Sequence, residues 1–270
     1  MLLRLFTVFS VIAAVLQVLG GTVWMLPVYF LVDFAACLVA ALIFLAAACA
    51  AVDRKKEQLH DSSFYRCLAH LYIDLVATLG RLHIHTEGLE KTPAQGRFLL
   101  VCNHLNEIDP GVILKCFPNS QLAFVSKKEN DTMPFVGPVM HKLMCQLINR
   151  ENDREALQTI RKCIQLIEED EVSIAVFPEG GIRGDGKLHA LKGGVFKIAQ
   201  RTHVPIVVCT LRDTKQALHK LLRLQPSQVT LHLVGVIAPE EYAGITTVEL
   251  ARRVHAMMAA DLGPELVAQS

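Results

Sequence analysis

Between Leu5 and Val52 the chain carries a single formal charge, Asp33. An apolar run of that length exceeds one bilayer span, which takes roughly 20 residues. It predicts two helices, about residues 5–24 and 32–52, separated by Gly20, Gly21 and Pro27, which disfavour a continuous helix. Trp24 and Tyr29 would then sit at the far membrane–water interface, where amphipathic aromatics are enriched. Arg4 precedes the first helix and Asp53-Arg54-Lys55-Lys56 follows the second, so positive charge marks both outer ends. The positive-inside tendency then puts both ends, and the rest of the chain, on the cytoplasmic side of the cell membrane. A hairpin that enters one leaflet only is the other reading, and Asp33 favours it, because a charge in hydrocarbon is costly. A cleaved signal peptide is disfavoured, since the second apolar helix would remain.

The expected organisation is a membrane helical hairpin over residues 1–56 and a second domain over residues 57–270, long enough to bury its own core. The net charge of +1 gives no electrostatic reason to expect a nucleic-acid partner. Eight cysteines are scattered without a CxxC pair, which argues for reduced, mostly buried thiols rather than zinc or a redox dithiol. His83 and His85 share one face of a strand, but no third ligand is near them, so no metal is expected.

Residues 57–80 place Phe64, Leu68, Leu71, Leu75 and Leu79 at helical spacing, predicting an amphipathic helix that lies on the membrane surface or packs on the core. "RLHIHTEGLE" (81–90) alternates like a strand entering a turn. Four continuous apolar runs follow: "RFLLVCN" (97–103), "QLAFVSK" (121–127), "SIAVFPEG" (173–180) and "VPIVVCTL" (204–211). Such runs suit strands covered on both faces. "VTLHLVGVI" (229–237) alternates, and helical patterns occupy 153–170, 193–201 and 245–262. The expected fold class is α/β, a mostly parallel or mixed sheet flanked by helices.

In such sheets, sites form beyond the carboxyl ends of strands. The first run ends at Asn103-His104, the second at Lys127-Lys128 and the third at Glu179-Gly180. Asp109 follows His104 by five residues, which on a helix would leave the two side chains some 140° apart. Pro110 also biases Asp109 away from helical geometry. A loop curling back after the strand would join them, and a carboxylate on one ring nitrogen makes the other a general base. The spacing arises by chance about 0.4 times in this composition, so an ordinary loop histidine is the competing reading. Pro178 and Gly180 flank Glu179 and predict a tight turn that holds its carboxylate rigidly. The glycine-rich "GGIRGDGKLHALKGG" that follows, with Arg183, Lys187 and Lys192, suits a phosphate or is a plain surface loop. Arg150, ahead of a helix starting near Asp153, can clamp a phosphate or be a helix-start charge.

Together these residues resemble the membrane-bound glycerolipid acyltransferases, specifically the 1-acylglycerol-3-phosphate acyltransferases, over about residues 65–240. Asn103, His104 and Asp109 match the family's NHxxxxD block, and Phe177, Pro178, Glu179 and Gly180 its FPEG block. "QLINR" resembles the block that ends in an arginine, giving Arg150, and "VPIVV", with Pro205, the block around a buried Val-Pro. There are departures. Gly181-Ile182 stand where Thr-Arg usually follows FPEG, leaving Arg183 one place late; Met144 replaces a usual glycine, Asn149 an acidic residue, and Val208 a common second proline.

The resemblance implies that His104, oriented by Asp109, deprotonates the free hydroxyl of 1-acylglycerol-3-phosphate, which attacks an acyl thioester and yields phosphatidic acid for phospholipid biosynthesis. It assigns substrate contacts to Asn103, Lys127, Lys128, Arg150, Glu179, Gly180 and Arg183, with the cations on the acceptor phosphate. Acyl-CoA or acyl carrier protein is the implied donor, the bilayer and a lysophospholipid the other partners, and no metal or further cofactor is required. The alternatives are another lysolipid acceptor, a membrane lipid or thioester hydrolase using the same His–Asp pair, and a non-catalytic lipid-binding protein on the same fold.

Overall fold

The computed structural model describes residues 1–19, 23–149 and 151–268. The apolar N-terminal stretch forms two mutually packed helices, α1 (Leu2–Val18) and α2 (Leu26–Ala50). The break expected at Gly20 and Gly21 falls outside the described residues. Pro27 lies in the first turn of α2, where its missing N–H costs no helical bond. With 17 residues, α1 is about 26 Å long, short of the roughly 30 Å hydrocarbon core. The helical stretch Val23–Ala50 is apolar and long enough to cross a membrane. Asp33 does not stand alone, because Gln17 Nε2 donates to its two carboxylate oxygens at 3.2 and 3.4 Å.

The hairpin does not hang free of the rest. Helix α3 (Ser63–Leu79) runs antiparallel to the second half of α2: the Tyr65 hydroxyl donates to Ala48 O at 2.8 Å, and that of Tyr72 to Ala41 O. Ser62 caps α3, so the helix starts later than its apolar spacing suggested and residues 57–62 are irregular. Leu68, Ala69, Leu75 and Ala77 are buried along it, and Tyr65, Ala69 and Ile73 pack on the core beneath the sheet. The expected amphipathic helix is thus a layer between the apolar hairpin and the sheet.

Among the described residues, seven strands form one sheet: β1 (Leu82–Glu87), β2 (Leu99–Cys102), β3 (Leu122–Lys127), β4 (Gln146–Ile148), β5 (Ser173–Val176), β6 (Ile206–Arg212) and β7 (Ser227–Ile237). Their order is β1-β7-β6-β2-β5-β3-β4. The five from β6 to β4 are parallel; β7 is antiparallel to β6, and β1 parallels β7, so the sheet is mixed. Every residue of β2 and β5 is buried, as their unbroken apolar runs require. The pleat divides them: Leu99, Val101, Ile174 and Val176 face one core, Leu100, Cys102 and Ala175 the other. Helices α6 (Asp153–Glu168), α7 (Lys197–Thr202) and α9 (Thr247–Leu262) cover the first face. Helices α3, α4 (Asp109–Cys116) and α8 (Ala217–Leu222) cover the second, and α5 (Val136–Lys142) links β3 to β4. Asn152 caps α6, and a Thr246–Glu249 capping box opens α9.

Arg66 ties α3 to the sheet. Its Nε and Nη2 meet both oxygens of the buried Asp61 carboxylate at 2.7 and 2.6 Å, and Nη1 donates to Leu122 O at 3.1 Å. Arg66→Ala strands a buried carboxylate and is expected to cost about 3–5 kcal/mol. Thermal unfolding in detergent measures it, with the Arg66→Met/Asp61→Leu pair recovering most of the loss. A single-variant loss under about 1 kcal/mol would contradict a buried pair.

Candidate active site

The loop from β2 to α4 carries His104 and folds back on itself. Asp109 opens α4, and Pro110 sits in its first turn. This corrects the expectation that the proline would keep Asp109 out of helical geometry, since a proline is tolerated where the helix has no amide bonds to lose. What joins Asp109 to His104 is the loop before the helix. Asp109 Oδ2 accepts from three donors: His104 Nδ1 at 2.9 Å, Leu105 N at 2.7 Å and Asn106 N at 2.8 Å. The helix N-terminus also favours its negative charge. With Nδ1 engaged as donor, Nε2 is the ring's basic nitrogen, and it bonds to no described residue. The ring stacks on Phe177, centroids 4.0 Å apart, and Phe177 in turn on Phe124 at 6.1 Å.

Glu179 holds the same loop from the β5 side. It is buried; Oε1 accepts from His104 N and Oε2 from His189 N, both at 2.8 Å. Burial pushes its pKa up, opposed by the two amide hydrogen bonds and by the charges of His189 and His104. Gly180 follows at φ +81°, a left-handed conformation that favours glycine. The far end of the glycine-rich loop is anchored by a buried residue, Leu188. Leu188 N donates to Leu266 O at 2.8 Å, and Ala268 N donates to Leu188 O at 2.9 Å, so residues 266–268 lie beside it like a short strand. Asp261, at the end of α9, ties the start of that segment to the sheet through Thr210 and His232, at 2.5 and 2.6 Å.

The other expected site residues divide. Asn103 is buried with its amide clasping Leu211: Oδ1 accepts from Leu211 N at 2.7 Å, and Nδ2 donates to Leu211 O at 3.0 Å. It pins the end of β2 to β6 and positions the loop rather than presenting a group to substrate. Lys127 and Lys128 are exposed at the carboxyl end of β3, two strands from His104, Lys127 pairing with Glu129 at 3.1 Å. Arg183 is exposed and bonds to no described residue. Arg150 lies outside the described residues. Sequence reasoning missed His189, Leu188 and the 266–268 segment, because their contribution is backbone N–H and C=O, which any residue supplies. No cluster of three or more potential metal ligands occurs among the described residues.

Residues 83–212 match the acyltransferase family model. The matched stretch is just under half of the chain. A 1-acyl-sn-glycerol-3-phosphate acyltransferase of Limnanthes alba is 28% identical over 187 residues, 69% of this chain and 66% of the relative. A probable 1-acyl-sn-glycerol-3-phosphate acyltransferase of Mycoplasma pneumoniae is 31% identical over 136 residues, 48% and 50% of the two chains. The aligned part is thus under two thirds of either relative's own length. The crystal structure of the 1-acyl-sn-glycerophosphate acyltransferase PlsC from Thermotoga maritima shares the fold, with a TM-score of 0.59 and 22% identity, covering 76% of this chain and 83% of that one.

Two substitutions probe how the chain holds His104. Glu179→Gln sets an amide N–H₂ against one of two backbone donors. Losing a charge-assisted bond worth about 1.5–3 kcal/mol predicts a fall in kcat of roughly 10- to 150-fold, with little change in KM. Because burial raises the Glu179 pKa, the folded state holds its proton more tightly than the unfolded chain does. Ionising it therefore costs stability as pH rises above the ordinary value of 4.5. The stability difference between wild type and Glu179→Gln should shift against wild type over that range in pH-dependent melts. Ala268→Pro removes one N–H 80 residues downstream of Leu188, beside a Val267 whose extended backbone tolerates a following proline. A loss of about 1 kcal/mol predicts roughly fivefold lower kcat, faster hydrogen exchange at the His189 amide and unchanged exchange in β2.

Proposed function

We propose that the protein transfers an acyl chain from a thioester, acyl-CoA or acyl carrier protein, to the free hydroxyl of 1-acylglycerol-3-phosphate. The observation that carries the reading is the His104 Nδ1–Asp109 Oδ2 bond at 2.9 Å, with Nε2 uncommitted on the carboxyl-end rim of the parallel part of the sheet. His104 Nε2 takes the hydroxyl proton as the oxygen attacks the thioester carbonyl carbon. The C–S bond then breaks, and the proton passes from the imidazolium to the departing sulfur. Asp109 keeps the tautomer and stabilises the transient charge. Asn103 and Glu179 position the loop. Lys127, Lys128, Arg150 and Arg183 are the cations proposed to meet the acceptor phosphate. A thioester is already activated, so the step calls on no metal. The apolar hairpin, flanked by Arg4 and by Arg54, Lys55 and Lys56, is proposed to anchor the enzyme with its catalytic part on the cytoplasmic side.

His104→Ala is expected to lose about 10²-fold or more of the transfer rate while remaining folded and membrane-bound. The assay crosses several lysolipid acceptors with acyl-CoA and acyl carrier protein donors and follows both product and released fatty acid. Retention of more than a tenth of the wild-type rate would remove His104 as base. Free fatty acid formed at the same rate with and without acceptor would make the protein a hydrolase.

A further inference from the structure

The segment from β3 to α5 has a tip that is apolar, exposed and strained. Met133, Phe135 and Val136 are 41%, 37% and 42% exposed, grouped in a single turn with Pro134. Val136 N donates to Pro134 O at 2.7 Å, a γ-turn centred on Phe135, whose φ of 64° and ψ of −46° are strained for a residue with a Cβ. Glycine would relieve the strain, yet the position holds a phenylalanine facing solvent in part. The turn is fastened as well: a Cβ on Gly137 would lie 2.0 Å from Asp131 O. Arg54 donates to that same carbonyl and pairs with the Asp131 carboxylate at 3.2 Å.

The place of the tip identifies what it meets. Phe135 O lies 3.8 Å from Cys49 Sγ, in the last turn of α2. That is the level at which the apolar helix gives way to Asp53-Arg54-Lys55-Lys56. For a helix that crosses a membrane, this change marks the boundary between hydrocarbon and headgroups. We infer that residues 133–136 are an interfacial wedge that inserts into the lipid surface beside α2. The segment begins at Lys127 and Lys128, so seating the wedge sets those two cations at headgroup level, on the rim that carries His104 two strands away. The acceptor phosphate then meets the enzyme without leaving the interface. The wedge rests on the membrane reading of α2, and its use in catalysis on the proposed acceptor.

Insertion is tested apart from activity. The only tryptophan, Trp24, is replaced by Phe, and a reporter is installed in the full-length protein as Met133→Trp. The protein is reconstituted into vesicles of phosphatidylcholine and phosphatidylglycerol. Brominated acyl chains should quench the reporter and aqueous iodide should not. A reporter at Leu222, 74% exposed on α8, should show the reverse. Iodide quenching at position 133 would overturn the wedge. For its role, Phe135→Gly removes the apolar group and the strain together, so misfolding cannot account for a loss. Combined with Met133→Ser and Val136→Ser, it should raise the apparent KM for bilayer-embedded lysolipid about tenfold, and leave turnover of a detergent-dispersed acceptor within about twofold. Equal effects on both presentations, or none on either, would overturn that role. Quenching with no transfer by wild type would instead sink the proposed reaction and leave the wedge standing.

Discussion

Asp109 and Glu179 are both buried, and among the described residues each is met by N–H donors rather than by a lysine or arginine. A carboxylate inside a protein needs such donors; both Glu179 oxygens and Asp109 Oδ2 have them, while Asp109 Oδ1 is buried without a partner among the described residues. These two groups therefore dictate where the chain must bring its amides. Residues 104–106 serve both: the His104 amide faces Glu179, while the His104 ring and the next two amides face Asp109. Rotating any one of those peptides breaks a charge-assisted bond, so the imidazole is held by its own backbone as much as by its side-chain partner. Asn103 closes the arrangement from behind by clasping Leu211.

Much of this was legible in the chain. Strands buried on both faces announce themselves as unbroken apolar runs, and their polar last residues marked the rim correctly for β2, β3 and β5. His104 and Asp109 are spaced too far round a helix to meet on one, and a loop joins them. Pro110 misled because the bias a proline imposes on the preceding residue does not keep that residue from opening a helix, as Asp109 does. Helices α4, α5 and α8 and the three-residue strand β4 were not anticipated; each is too short for its hydrophobic period to rise above that of the neighbouring segments. Asn103 was expected at the substrate, but an asparagine side chain can replace a rung of a sheet ladder, and nothing local distinguishes the two uses. Backbone donors such as His189 N have no sequence signal at all.

The hairpin and α3 show a different limit. Charge-free composition predicts membrane residence, but α3 covers α2 as far back as Ala41, with two tyrosine hydroxyls satisfied on helix carbonyls. Those bonds would be spent against water or lipid if the layers separated, so the depth of the sheet is coupled to the depth of α2. A helix can be apolar all round and still hold a soluble layer at one end, provided that layer brings aromatic side chains with one polar tip each.

The residues Phe177 to Gly180 perform two separable tasks. Phe177 supplies a face for the imidazole, and Glu179 fixes the backbone beneath it. If His104 takes a proton, its charge meets Asp109 at 2.9 Å along the ring edge and the Phe177 ring across its face, and both contacts are already in place before any substrate arrives. The departures from the family pattern at Gly181 and Ile182 begin just beyond this framework. The loop they open returns to fixed ground at Leu188 and His189, where the 266–268 segment and Glu179 grip it. Residues 181–187 thus span two anchored ends, so their charge and shape can differ from those of relatives without displacing His104. Variation in that loop leaves the His104–Asp109 geometry to the carboxylates below it.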